Sequence, residues 1–176
     1  MELSDQRASQ RENQISDKLF YASTEAIDGK FRGKFKDQHR RLKAAVHKCQ
    51  HAAYSNEGLK YEQAEERARE CFLPLLLVRR HASTIMLNAK DEFESCINRA
   101  RQAGATDTVR MKCFTVYKDE LKKQIPKVQG FYDGYLQNYS LKDGSLQPLP
   151  KSEAKEIAAI KQEALSLGTG KSSDIL

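Results

Sequence analysis

Apolar residues recur along this chain at spacings of three and four, the period of a helix with one buried face. Ile15, Leu19, Ala22 and Ala26 make one narrow stripe and predict a first helix from Ser4 to about Ile27, with a break at Asp28-Gly29. Phe31, Phe35, Leu42, Val46, Cys49 and Ala53 share the face of a second helix, which the turn signal Ser55-Asn56-Glu57-Gly58 closes. A third helix is expected over Tyr61–Phe72, with Ala64, Arg67, Ala68 and Cys71 near its inner side and Pro74 marking its end or a kink. The fourth runs from about Leu75 to Ala103 and places Leu77, Ile85, Phe93, Cys96, Ile97 and Ala100 in the core. Gly104 suits its C-terminus, and Thr106 or Asp107 can cap a fifth helix that carries Val109, Cys113, Val116, Tyr117 and Leu121. Pro126 is expected to end that helix. A short one follows with Val128, Phe131, Tyr132, Tyr135, Leu136 and Tyr139.

Ser140–Pro150 reads as an extended linker that makes few contacts with the hairpins. Ser152–Leu167 reads as a last helix with Ala158, Ile160, Ala164 and Leu165 as its apolar content, and Gly168–Leu176 as a polar tail. The pattern predicts an all-α chain: two consecutive antiparallel helical hairpins with flanking N- and C-terminal helices. It divides into an N-terminal helix over 1–29, a hairpin domain over 30–139, and a linker, short helix and tail over 140–176.

The cysteines sharpen this picture. Cys49 and Cys71 flank the first turn, Cys96 and Cys113 flank the second, and each lies on the apolar face of its helix. On the two arms of a hairpin such pairs come within disulfide reach, with α-carbons about 5.5–6 Å apart. The pairing expected is Cys49–Cys71 and Cys96–Cys113, because those residues share the inward face at matched height. Four buried free thiols are the plainer alternative. A metal site is a third: His47 and His51 lie one turn apart, but Cys49 between them faces elsewhere.

Composition limits what the hairpins can do. Of 176 residues, 39% are hydrophobic and 31% charged, enough for one domain with a modest core. No apolar run is long enough to cross a bilayer, since the longest, Phe72–Val78, contains Pro74. Glu2, Asp5, Glu12 and Asp17 give the N-terminus neither the apolar core of a secretory signal nor the acid-poor face of a matrix transit peptide. The net charge of +6 favours an anionic partner. Two basic clusters, Lys34–Lys43 with Arg40, Arg41 and Lys43, and Arg79-Arg80-His81, are candidates for an anionic membrane surface or an acidic neighbour. Nucleic acid is not expected, because the clusters lack interleaved aromatics. Phe131, Tyr132, Tyr135 and Tyr139 either pack against the hairpins or anchor a partner. The chain carries no P-loop, no H-E-x-x-H, no G-x-S-x-G and no C-x-x-C pair, and Cys71 with His81 lacks an orienting third group. No catalysis and no cofactor are expected.

The segments HKCQHAA (47–53), RARECFLPL (67–75), FESCINRA (93–100) and VRMKC (109–113), followed by Gln124-Ile125-Pro126, resemble a eukaryotic mitochondrial family, the family with sequence similarity 136, built on repeated C-x3-C motifs. The resemblance runs from about Phe31 to Pro126. One cysteine of each motif is replaced, by Ala53, Arg67, Ala100 and Val109. The resemblance implies the mitochondrial intermembrane space, which such proteins enter without a presequence and where oxidation traps them. From it follows the expected function: a non-catalytic structural accessory subunit of an inner-membrane complex, the respiratory chain or the ATP synthase. Such a subunit would be held by protein neighbours and be peripheral to the membrane. The alternative is a free-standing intermembrane-space assembly factor or a metal or redox carrier.

Overall fold

The computed structural model describes residues 22–168. The order is α1 (22–33), α2 (Lys36–Tyr54), α3 (Tyr61–Glu70), α4 (Leu73–Gln102), α5 (Asp107–Leu136), a 3-10 turn (Lys151–Glu153) and α6 (Ala154–Gly168). Among the described residues there is no strand, only an isolated bridge between Tyr139 and Leu146. The fold is all-α, and each of its two hairpins, α2–α3 and α4–α5, carries one disulfide. These are Cys49–Cys71 and Cys96–Cys113, each with α-carbons 5.8 Å apart, and no described cysteine is free. The pairing is the one expected.

Local chemistry sets the turns. At the end of α4, Gly104 takes a left-handed φ of 63°. The Gly104 N–H then donates to Arg101 O at 3.0 Å, and the Ala105 N–H to Ala100 O at 2.9 Å. These two bonds are the paired C-terminal bonds of a Schellman motif. At the start of α3, Gln63 Oε1 accepts the Lys60 N–H at 3.1 Å, half of a capping box.

Two expected breaks are corrected. The chain stays helical through Asp28-Gly29 and turns at Lys34-Phe35 instead. A helical glycine costs about 1 kcal/mol. Against that, Asp28 accepts the Tyr117 hydroxyl at 2.6 Å and pairs with Lys90 at 3.6 Å, while Phe31 is buried. Pro126 likewise lies inside a continuous α5. Beyond it, burial of Val128, Tyr132 and Tyr135 extends the apolar face and offsets the lost backbone bond. Pro74 falls in the first turn of α4, where its missing N–H would have had no intrahelical partner.

The chain forms two compact units, each built from two segments. One is the described part of Met1–Lys36 with Ile85–Ile125, and the other is Asp37–Thr84 with the described part of Pro126–Leu176. In the first unit, Phe31, Phe35, Phe93, Ile97, Tyr117 and Leu121 are buried, and Phe93 stacks on Tyr117 at 5.1 Å. The buried stripe of α5 runs through Cys113, Tyr117 and Leu121, which leaves Val109 and Val116 exposed rather than in the core. Ala22 and Ala26 are exposed too, and Thr24 is the buried residue between them. Ile15, Leu19 and the tail after Gly168 lie outside the described residues. In the second unit the core is Leu42, Val46, Ala64, Ala68, Leu77 and Val128, joined by Ile160 from α6. Ala158, Ala164 and Leu165 of α6 are exposed.

Two predictions test this architecture. Cys49→Ser should lower stability by about 3 kcal/mol, from loss of the loop constraint on the unfolded chain, and Cys71 should then react with an alkylating reagent on unfolding. Pro126→Ala should stabilise the protein by up to about 3 kcal/mol in denaturant titrations, because an uninterrupted helix gains the missing hydrogen bond. Unchanged or lower stability of that variant would mean that α5 is broken there.

Candidate functional site

The chemistry-bearing residues converge in the second unit. Cys49 and Cys71 are 3% and 1% exposed, so their bond is closed to an attacking thiolate. The Cys71 backbone carbonyl accepts the Tyr139 hydroxyl at 2.6 Å. Tyr139 stands just past the end of α5, and its anchorage brings the following loop onto the α2–α3 hairpin. The loop is closed by Ser140 N–H to Ser145 O at 2.8 Å and Gln147 N–H to Asn138 O at 2.7 Å. At its tip Gly144 has φ +80°, and a β-carbon there would come within 2.8 Å of the Lys48 side chain. Ser140–Pro150 therefore does not have the few contacts expected of a linker.

Three of the four clustered aromatics are core residues. Tyr132, Tyr135 and Tyr139 are buried and Phe131 is half-buried. Phe131 stacks on the His81 ring with centroids 4.5 Å apart. The Tyr135 hydroxyl donates to Glu153 Oε1 at 2.8 Å. His81 Nε2 lies 3.2 Å from both that hydroxyl and Glu153 Oε2. The imidazole, phenol and carboxylate thus satisfy one another and fasten the start of α6 to α4 and α5. Burial pushes the phenols of Tyr135 and Tyr139 well above the ordinary tyrosine range, and the hydrogen bond to Glu153 adds to the effect at Tyr135.

The basic candidates separate. Arg80 is not a free surface cation, because it bonds Glu156 and also Glu163 at 2.8 Å and so clamps α6. Arg40, Arg41, Lys43 and Arg79 are exposed, with Arg40 loosely paired to Asp37 at 3.8 Å. The pKa of His39 is lowered by burial and by the charges of Arg79 and Lys43. Those three therefore form one basic neighbourhood. His39 Nδ1 is 3.4 Å from the Tyr132 hydroxyl.

A cleft of about 1040 Å³ opens between the α2–α3 hairpin on one side and the loop 143–149 with α6 on the other. The disulfide and Leu73 line the hairpin side, while Leu146, Leu149 and Ile157 face them. Lys48, Arg67 and Lys161 supply positive charge, Glu70 and Asp143 negative. Lys161 is spent on Glu70 at 3.3 Å. Asp143 accepts from the Ser145 hydroxyl and N–H, which hold its carboxyl at about 2. His51 Nδ1 meets the Ser55 hydroxyl at 2.7 Å. Among the described residues no group of three or more His, Cys, Asp or Glu is placed to hold a metal.

His81 was legible only as part of a basic cluster, and Glu153 and the cleft carried no sequence signal. The partners are 72 residues apart, and no local pattern marks such a pair. Arg67 did carry one, as the residue standing where a second rung of the first hairpin would be.

Tyr139→Phe should leave the Cys71 carbonyl unpaired, cost about 1 kcal/mol and speed hydrogen exchange in 140–147. Acid should act through Asp143. Its carboxyl is depressed in the folded loop, so the stability it lends is present above the ordinary value near 3.8 and is lost as pH falls towards about 2. Amide resonances of Ser145 followed between those limits should report the change, and Asp143→Asn should abolish it.

No protein-family model matches this chain, and comparisons with curated proteins and with solved structures find no match either.

Proposed function

We propose that this chain is a non-catalytic structural accessory subunit of a mitochondrial inner-membrane complex, of the respiratory chain or the ATP synthase, on the intermembrane-space side. The observation that carries the reading is that every described cysteine is locked in a hairpin disulfide, three of the four being buried at 3% exposure or less. Disulfides of this kind persist in oxidising compartments. Thiols so sheltered serve rigidity better than exchange, which favours a scaffold over the alternative of a redox or metal carrier. The resemblance to C-x3-C proteins supports the intermembrane space as that compartment. No described helix is long and apolar enough to cross a membrane. The exposed Arg41, Lys43 and Arg79 suit an acidic neighbour or anionic lipid at the membrane surface.

Native electrophoresis of gently solubilised mitochondria, with mass spectrometry of the bands, tests the proposal. The chain should co-migrate with a large inner-membrane complex in stoichiometric amount, with both disulfides intact after thiol trapping. Migration only as a free monomer, or trapping of four reduced thiols, would overturn it.

A further inference from the structure

We infer that the cleft between the α2–α3 hairpin and the 143–149 loop binds a single acyl chain with an anionic head group. The site lies wholly within the second unit and holds whatever complex hosts the chain, so the inference goes beyond the proposed function and does not depend on it.

Size and lining come first. The cleft, about 1040 Å³, is at the upper end of the range of small-molecule sites, on the order of 300–1,000 Å³. Leu73 and the disulfide on one wall oppose Leu146, Leu149 and Ile157 on the other, and nothing in the chain's described part fills the space between.

Charge selects the head group. Of the cleft's cations, Lys161 is neutralised by Glu70 at 3.3 Å. Neither Lys48 nor Arg67 has an ion-pair partner among the described residues, and the Asp143 carboxylate is engaged by Ser145. The Lys48 stem lies against the Gly144 backbone at the edge of the cleft. Three cations against two carboxylates leave one net positive charge beside an apolar wall, with Lys48 and Arg67 outside any described ion pair, which complements one carboxylate or phosphate on a hydrocarbon tail.

Hydrogen bonding argues against an extended peptide. A docked strand needs a backbone edge to pair with. Here Ser140 and Gln147 spend their N–H groups inside the loop, and the next stretch contains Pro148 and Pro150, which have none. A hydrocarbon asks for no such partners.

Calorimetric titration of the oxidised full-length protein, with each probe below its micelle concentration, tests the inference. The probes are oleate, oleoyl lysophosphatidate and oleyl alcohol. One or both anions should bind saturably at one site, the alcohol about tenfold or more weaker, and Arg67→Gln should weaken the anion about tenfold. The tighter anion identifies the head as carboxylate or phosphate. Ala52→Trp, which fills the cleft from α2, should abolish binding while circular dichroism stays unchanged. If that variant misfolds, methyl resonances of Leu73, Leu146 and Ile157 in the unaltered protein serve instead, and they should shift on titration with the anion. Absence of saturable anion binding, equal affinity for the alcohol, shifts confined to other methyls, or binding of an acidic peptide in place of the acyl probes would each overturn the inference.

Discussion

The Cys49–Cys71 bond fixes the height at which α2 meets α3, and the second unit is assembled around that fixed point. Cys71 serves twice. Its sulfur closes the hairpin, and its carbonyl, at the end of α3, needs a donor that the backbone does not supply. The residue three positions on is Pro74, which has no N–H to give. Tyr139 fills the vacancy from 68 residues away. A helix end, a proline and a phenol thus combine to bring the loop after α5 back onto the hairpin, and the cleft exists because that loop stands there.

The same device recurs along α5 and its end. Tyr117 donates to Asp28 in the first unit, and Tyr135 to Glu153 and Tyr139 to the Cys71 carbonyl in the second. A phenol buries a large apolar ring while its hydroxyl finds a partner, so one residue both fills a core and fastens a distant segment. That economy suits a chain that is 39% hydrophobic and has no tryptophan. The disulfides supply the remaining constraint by removing freedom from the unfolded chain rather than by adding core.

What could be read from the sequence was what short-range geometry decides. The stripe from Phe31 to Ala53 is buried as its spacing requires, and the cysteine pairing followed from two residues on facing arms at equal height. Gly29 and Pro126 were misread as breaks because their local cost, about 1 and about 3 kcal/mol, is smaller than what burial on either side returns. Arg80 was legible as a charge but not as a clamp, since Glu156 and Glu163 lie on a helix that no pattern ties to it. Ser140–Pro150 has the composition of a linker. What orders it is the Tyr139 hydroxyl, and a hydroxyl's partner is set by tertiary structure alone.

The residues that stand in for a second rung in each hairpin follow from the same energetics. The first cross-link removes most of the loop-closure entropy, and a second bond four residues nearer the turn would close a loop already held. Its stabilising effect would be small, so those positions are free to take other residues. In the α4–α5 hairpin they are Ala100 and Val109, one buried and one exposed. In the α2–α3 hairpin they are Ala53 and Arg67, both lining the cleft. Two cysteines there would have drawn the arms together by a covalent bond. A methyl group opposite a guanidinium leaves space between them and puts a positive charge beside it. Sparing one disulfide therefore costs the hairpin little and gives its inner face the one property a stapled scaffold otherwise lacks, an open pocket with a charge at its edge.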